Sequence, residues 1–234
     1  MKITYIHHSS FLVEGSDFYL LFDYFQGNIP ELSEQKPLYV FASHRHGDHF
    51  SKVIFELEKV HPNISYILSS DIKPKQVLPA EALPVTTFLG KNMVEKIGDI
   101  VVETYHSTDE GVAFLVSAGG KNIYHAGDLN DWTWIGEPDD WNAKMRRVYR
   151  KIVDGLKDKK IDVAFLPLDG RQEGEFYQGM DYFLRTAADV KAVFPMHFWE
   201  DYTVIRQIKE MKESESYRSK IYDIAYEGQE FLIV

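Results

Sequence analysis

The chain contains no cysteine. That excludes disulfides and any thiolate metal site, so a metal in this protein must be held by His, Asp or Glu. Long apolar runs are also missing. A membrane-spanning helix needs about 20 consecutive, predominantly apolar residues, and no run approaches that length, so no membrane partner is expected. Positive charge is in deficit: 26 Lys and Arg stand against 36 Asp and Glu, a net charge of −10. A long nucleic acid would be repelled unless a local basic patch compensated. The one basic cluster, Lys144, Arg146, Arg147, Arg150 and Lys151, has acidic neighbours on both sides and reads as a solvated helix face. The stretch Met1-Lys2-Ile3-Thr4-Tyr5-Ile6 enters a strand pattern without the charged region, apolar region and cleavage site of a secretory signal, so a cytoplasmic location is expected. Neither repeat nor low-complexity segment nor linker interrupts the 234 residues, which are read as one domain, 1–234.

What is present is concentrated in the hexapeptide His44-Arg45-His46-Gly47-Asp48-His49. Four of its six residues can ligate a metal. The apolar run Pro37-Leu38-Tyr39-Val40-Phe41-Ala42 leads into it and reads as a buried strand. In a strand, residues 44, 46 and 48 would face one side and 49 the other. A loop just past a strand end can turn all four inward while the sheet holds them in place.

The first half of the chain reads as short strands, at 3–6, 11–14 and 17–22, with Gly15-Ser16 as a hairpin signal. Residues 52–60 have imperfect helical spacing, and 64–68 read as a strand. Pro74, Pro79 and Pro84 break up 70–98, which is read as short strands or a lid. Residues 100–105 alternate as a strand, and 112–116 and 122–125 form a strand pair across Ala118-Gly119-Gly120-Lys121. In the second half 140–156, 180–188 and 202–213 are helical, 161–166 and 190–195 are buried strands, and 231–234 is a terminal strand. Two sheets faced by helices account for this order.

Further ligand types recur at strand ends: His106 closes one strand, Asp128 follows Tyr124-His125-Ala126-Gly127, and His197 follows Val193-Phe194-Pro195-Met196. If these strands share a direction, their ends converge on one cleft. Seven such groups suit two metals, each keeping a position for water.

On these motifs the chain resembles the metallo-β-lactamase superfamily. Matching segments are His44-x-His46-x-Asp48-His49, His106, Asp128 in a Gly-Asp pair and His197 in Pro-Met-His, in order over nearly the whole chain. The resemblance implies an α+β fold, a four-layer αββα sandwich of the metallo-β-lactamase type. It implies that His44, His46 and His106 hold one metal, that Asp48, His49 and His197 hold the second, and that Asp128 bridges both. Zn2+ is the first expectation, with Mn2+ or iron as alternatives. The opening Tyr5-Ile6-His7-His8-Ser9-Ser10-Phe11, with Phe165-Leu166-Pro167-Leu168-Asp169-Gly170, is similar to the small cytoplasmic branch that includes ascorbate-6-phosphate lactonase. The chain departs from the flavodiiron members in keeping His46. It departs from the tRNA-processing and nucleolytic members in lacking a late His-Glu-Ala-Thr stretch and room for a cap domain.

Other residues have two readings each. Asp48 is both a ligand and a candidate proton acceptor. His8 lies at a strand end, either near the site or structural, and His7 points the other way. His125 is read as packing beside the site, and His61 as a loop residue. Arg171, after Asp169, pairs either with an anionic substrate or with Glu173 or Glu175. Ser107, Thr108 and Asp109 orient His106 or form a turn. Trp132, Trp134, Trp141, Phe198 and Trp199 form either a substrate rim or helix packing. The expected activity is hydrolysis of a small, anionic lactone or ester, or of a phosphodiester, by a hydroxide between two metals. The alternatives are redox or dioxygenase chemistry at a single iron, and metal or ligand binding without turnover. The sequence leaves the oligomeric state open.

Overall fold

The computed structural model describes residues 1–72, 78–186 and 189–233. Strands β1 (Lys2–His7), β2 (Ser10–Glu14), β3 (Tyr19–Phe22), β4 (Leu38–Ala42), β5 (Ile64–Ser69), β6 (Thr86–Leu89) and β13 (Glu230–Leu232) form one sheet, in the order β13-β1-β2-β3-β4-β5-β6. Strands β7 (Val94–Ile97), β8 (Ile100–His106), β9 (Val112–Ala118), β10 (Lys121–His125), β11 (Ile161–Pro167) and β12 (Val190–Met196) form the other, in the order β12-β11-β10-β9-β8-β7. The sheets face each other across an aromatic core. Phe11 and Phe165 have ring centroids 4.4 Å apart, Phe22 and His125 stack at 4.9 Å, and Phe41 meets Phe114 at 5.2 Å.

Helices α1 (Asp139–Val153), α2 (Gln178–Thr186) and α3 (Thr203–Glu210) follow in the second half. Alternation along β10 explains how α2 covers the outer face of its sheet. Ile123 and His125 point toward the first sheet, and Tyr124 points away to stack on Phe183 of α2. The Tyr149 hydroxyl of α1 donates to the Gly179 carbonyl at 2.7 Å, tying α1 to α2. A separate apolar layer, including Leu12, Leu21, Val40 and Leu68, lies on the other sheet and is capped by Ile54 and Phe55. The segment carrying those two, Lys52–Lys59, is a 3-10 helix rather than the α-helix its spacing suggests. The architecture is the two-sheet α+β sandwich expected.

Residues 70–98 supply two edge strands, β6 on one sheet and β7 on the other, so the described part of the segment crosses between the sheets. Pro74 and residues 73–77 of that segment, the end of the expected helix at 187–188, and Val234 lie outside the described residues. Among the described residues, no helix is long and apolar enough to cross a membrane.

Candidate functional site

Strand direction assembles the site. In the first sheet β1–β2 and β2–β3 are antiparallel and β3–β4 parallel, so β1, β3 and β4 run the same way. Their carboxyl ends deliver His8, Asp23 and Ser43-His44. In the second sheet β8, β10, β11 and β12 share a direction, and deliver Ser107–Asp109, Asp128, Asp169 and His197. His8, Asp23 and His197 have φ of 53°, 45° and 63°. Left-handed backbone is uncommon for residues other than glycine. Here it lets the chain turn sharply at a strand end and throw a side chain inward. Gly111 (φ +69°) is held by a different constraint: a Cβ there would sit 2.0 Å from the Ser43 carbonyl oxygen. Only glycine lets the β8–β9 turn press against Ser43-His44.

Two groups of ligand atoms result. His8, Asp48, His49 and His197 converge in one, and His44, His46, Asp109 and Asp128 in the other, with the atoms of each group within 4.8 Å of one another. Asp128 joins them. Its Oδ1 lies 3.1 Å from His49 Nε2 and 3.5 Å from His197 Nε2, and its Oδ2 lies 3.3 Å from His44 Nε2. In the first group Asp48 Oδ2 lies 3.5 Å from His8 Nε2 and 3.9 Å from His49 Nε2.

Behind the ligand atoms stand buried carboxylates. Asp23, fully buried, accepts from His49 Nδ1 at 2.7 Å, from the Ser43 N–H at 2.7 Å and from the Ser43 hydroxyl at 2.6 Å. Asp169 accepts from His197 Nδ1 at 3.0 Å and is gripped by Arg171, whose Nε lies 2.9 Å from Oδ1. Burial opposes charge on Asp169, but the bonds from His197 and Arg171 hold its pKa down at about 2. Burial likewise opposes charge on His49, yet Asp128 and Asp23 on either side hold its pKa well above the usual histidine value. Burial lowers His8 to about 4, leaving a neutral imidazole with a free lone pair.

The residues fit a bound metal. Both ring nitrogens of His8, His49 Nε2 and Asp128 Oδ1 are buried without a hydrogen-bond partner. Buried polar atoms are almost always satisfied, and cations among these imidazoles and carboxylates would satisfy one nitrogen of His8, His49 Nε2 and Asp128 Oδ1. The donor set is nitrogen and oxygen only, suited to Zn2+, Mn2+ or iron.

The structure brings together six of the seven ligands named from the sequence. His106 stands apart. It is the last residue of β8, still paired with Val112 and exposed, and the nearest charge acting on it is Lys91. The chain turns only after it, so Asp109 is the residue that reaches His46, at 3.8 Å. His8, read from the sequence as either near the site or structural, lies within the first ligand group. His7 bonds Glu227 and Gln26, away from that group. His125 Nε2 donates to the Ser9 carbonyl at 2.9 Å, and its Nδ1 accepts from the Gly127 N–H, so it packs rather than ligates. His61 bonds the Ser33 carbonyl, remote from the site. Arg171 meets neither Glu173 nor Glu175: it is committed to Asp169, with its guanidinium 5.1 Å over the Trp199 ring. Trp199 also packs on His8 at 4.3 Å. Asp23 escaped the sequence reading. It follows strand 17–22 as the ligands follow theirs, and that parallel was the available signal.

A cleft of about 250 Å³ opens on His197 and Asp109 and is walled by Trp132, Trp134, Trp141 and Met145. Three of the five aromatics singled out thus form a rim, while Phe198 is buried in the core against Tyr5.

Fold, strand-end ligands and paired groups define a metallo-β-lactamase-type centre, and a family model confirms the class. Residues 2–133 match the β-lactamase superfamily domain, and the chain belongs to the metallo-β-lactamase superfamily. More particularly, it is similar to a UPF0173 metal-dependent hydrolase of Nanoarchaeum equitans, 29% identical over 216 residues, covering 85% of this chain and 84% of that one. The metallo hydrolase Igni18 of Ignicoccus hospitalis has the same fold, with a TM-score of 0.66 at 16% identity over 98% of this chain and 97% of its own. The metallo-β-lactamase fold protein YhfI of Bacillus subtilis superposes with a TM-score of 0.59 at 14% identity, covering 98% of each chain.

Proposed function

We propose that the protein is a metal-dependent hydrolase that holds two divalent ions at the joined strand ends and cleaves a small ester, lactone or phosphodiester. The observation that carries the proposal is Asp128, which turns one carboxylate oxygen toward His49 and His197 and the other toward His44. The names of the curated relatives, metal-dependent hydrolases, support the same class. His44, His46, Asp109 and Asp128 would hold one ion. His8, Asp48, His49 and His197 would hold the other, with Asp128 shared. His106 is left out of the set because of its exposed position in β8.

Two bound divalent ions supply Lewis acidity and an activated water at neutral pH. The chain's own residues set the geometry. Asp23 and Asp169 accept from the Nδ1 atoms of His49 and His197, which fixes each tautomer and turns the Nε2 lone pair toward the centre. Arg171 holds Asp169 in place from the outside. Burial opposes charge on Asp48, but His8 and His49 hold its pKa well below the usual carboxylate value, which suits a ligand better than a proton acceptor. The cleft, about 250 Å³, accommodates a small molecule. An anionic substrate, the class expected from the sequence, gains no support from Arg171 while that guanidinium is engaged by Asp169.

The test is a screen of esters, lactones and phosphodiesters with protein stripped by chelator and reloaded with Zn2+ or Mn2+. Hydrolysis that is lost on stripping and restored by reloading is expected. A fully loaded protein that cleaves none of the three classes would refute the proposal.

A further inference from the structure

The wall of the cleft has few polar groups left to offer. Trp132 Nε1 donates to the Asp128 carbonyl at 2.8 Å. The Thr108 hydroxyl donates to the Asn130 carbonyl at 2.7 Å and accepts from the Asn130 N–H at 3.0 Å. Among the described residues lining the cleft, Arg171 is the only Lys or Arg; its Nε and Nη2 bond Asp169 and its plane lies over the Trp199 ring. Asp109, also at the rim, belongs to the second ligand group. Lys144 lines a neighbouring depression and is exposed to solvent. What remains free is flat, apolar surface. Trp132 and Trp134 lie parallel with ring centroids 5.9 Å apart, and Trp132 also packs on the His197 ring at 5.2 Å. Trp141, 38% exposed, and Met145 complete the wall.

Such a surface recognises rings by stacking and burial. The rings themselves offer a charged group no partner for the water it would lose against them. The volume, about 250 Å³, lies below the roughly 300–1,000 Å³ of sites for drug-sized ligands. We infer that the cleft selects an uncharged substrate with an aromatic ring, an aryl ester being the simplest member. The ring lies against Trp134 and Trp141, and the ester carbonyl points past His197 to the ligand groups. The bond cleaved rests on the hydrolase proposal, whereas ring binding rests on the cleft alone. In the reaction, the acyl C–O bond breaks and the hydroxyl of water joins the acyl carbon. The remaining proton goes to the departing aryl oxide, giving a carboxylic acid and a phenol.

Calorimetric titration of chelator-stripped protein with 1-naphthol and 1-naphthyl phosphate isolates the cleft from any anion affinity of bound metal. Kinetics of the Zn2+-loaded protein on phenyl acetate and 4-carboxyphenyl acetate then read the same preference in turnover. We expect 1-naphthol to bind and its phosphate to bind at least about tenfold more weakly, the cost of an unpaired charge. Phenyl acetate should have the lower KM. Trp141→Ala on the surface and Trp134→Ala deeper in should each raise the 1-naphthol Kd and the phenyl acetate KM by about tenfold, with kcat little changed. Circular dichroism of both variants guards against misfolding, and Trp141 is exposed enough for its variant to keep the fold. Tighter binding of the phosphate to stripped protein, abolished in Arg171→Ala, would overturn the inference. So would hydrolysis of esters with Kd and KM unmoved in both tryptophan variants, a result that leaves the hydrolase proposal standing. Tryptophan-dependent 1-naphthol binding with no cleavage of any ester, lactone or phosphodiester would uphold the cleft inference and remove the hydrolase proposal.

Discussion

Replacing Asp23 with Asn should weaken metal binding far more than it weakens the fold. Asp23 is fully buried and accepts three hydrogen bonds, from the Ser43 N–H, the Ser43 hydroxyl and His49 Nδ1. Asn preserves the shape and one oxygen, which can keep the Ser43 N–H. Its NH2 then faces His49 Nδ1, where two donors meet. His49, held protonated in metal-free protein by Asp128 and Asp23, relieves the conflict by giving up its Nδ1 proton and keeping the one on Nε2, the atom 3.1 Å from Asp128 Oδ1. In metal-free protein that proton finds Asp128, so the net loss of stability should stay near that of one ordinary hydrogen bond, about 1 kcal/mol. In the loaded protein the same proton occupies the ligand lone pair. Loss of a carboxylate that orients a metal-binding histidine lowers affinity by about 10–100-fold, or about 1.4–2.8 kcal/mol. Competition with a chromophoric chelator measures affinity, and urea denaturation of stripped protein measures the fold. Asp23→Ala is the contrast: it leaves the buried Ser43 N–H without an acceptor, which costs about 1–3 kcal/mol in the stripped protein. Unchanged metal affinity in Asp23→Asn, with the loss confined to urea denaturation, would refute the reasoning.

Asp109→Ala should lower metal content and His106→Ala should not, as elemental analysis after gel filtration can decide. The reverse result would restore the ligand set implied by family resemblance. Arg171→Ala frees Asp169 and should weaken metal binding several-fold, with equal effects on the KM of charged and neutral esters; a KM effect confined to anions would assign Arg171 to the substrate. Phe165→Ala removes a ring packed against Phe11, Phe22 and Phe194 and should cost about 3–5 kcal/mol in urea denaturation; a loss under about 1 kcal/mol would contradict the packing. Burial opposes charge on Asp162, but Lys191 at 2.8 Å and the Asn122 N–H at 2.9 Å hold its pKa below the usual carboxylate value. Its stabilisation is therefore complete above the unfolded-chain value of about 3.9 and is lost as pH falls through the lower folded value. The stability gap between wild type and Asp162→Asn should be open at about pH 6 and close by about pH 2; a gap that widened in acid would reverse the sign.

The fold was legible because each strand is short, apolar and followed by a turn or a ligand. The strand ending at Ala42 needed only its apolar run and a boundary to be found, and the one ending at His125 only the turn at 118–121 that pairs it with its neighbour. Helix α1 was legible from its helical composition. The stretch at 52–59 was legible as helical but not as 3-10, since its buried Ile54 and Phe55 are adjacent and fit either geometry. The ligand groups were legible to the extent that a ligand follows a strand at once, as at His44, Asp128 and His197. His106 lies outside both groups because strand pairing with Val112 extends through it, and the length of that pairing depends on the partner strand rather than on local sequence. His8, Asp23 and Asp169 owe their roles to partners at least 26 residues away, at His49 and His197. Their chemistry emerges only when the sheets are stacked. The engagement of Arg171 by a carboxylate two residues earlier was written in the sequence, yet a charged pair at that spacing reads equally well as a turn.

The central claim is that two ligand groups share Asp128. Metal content by elemental analysis, on wild type and Asp128→Ala loaded with the same excess of Zn2+, tests it most directly. Two ions per chain in wild type, with both weakened in the variant, is the predicted result. One ion per chain, zinc or iron, held equally well without the Asp128 carboxylate, would contradict it.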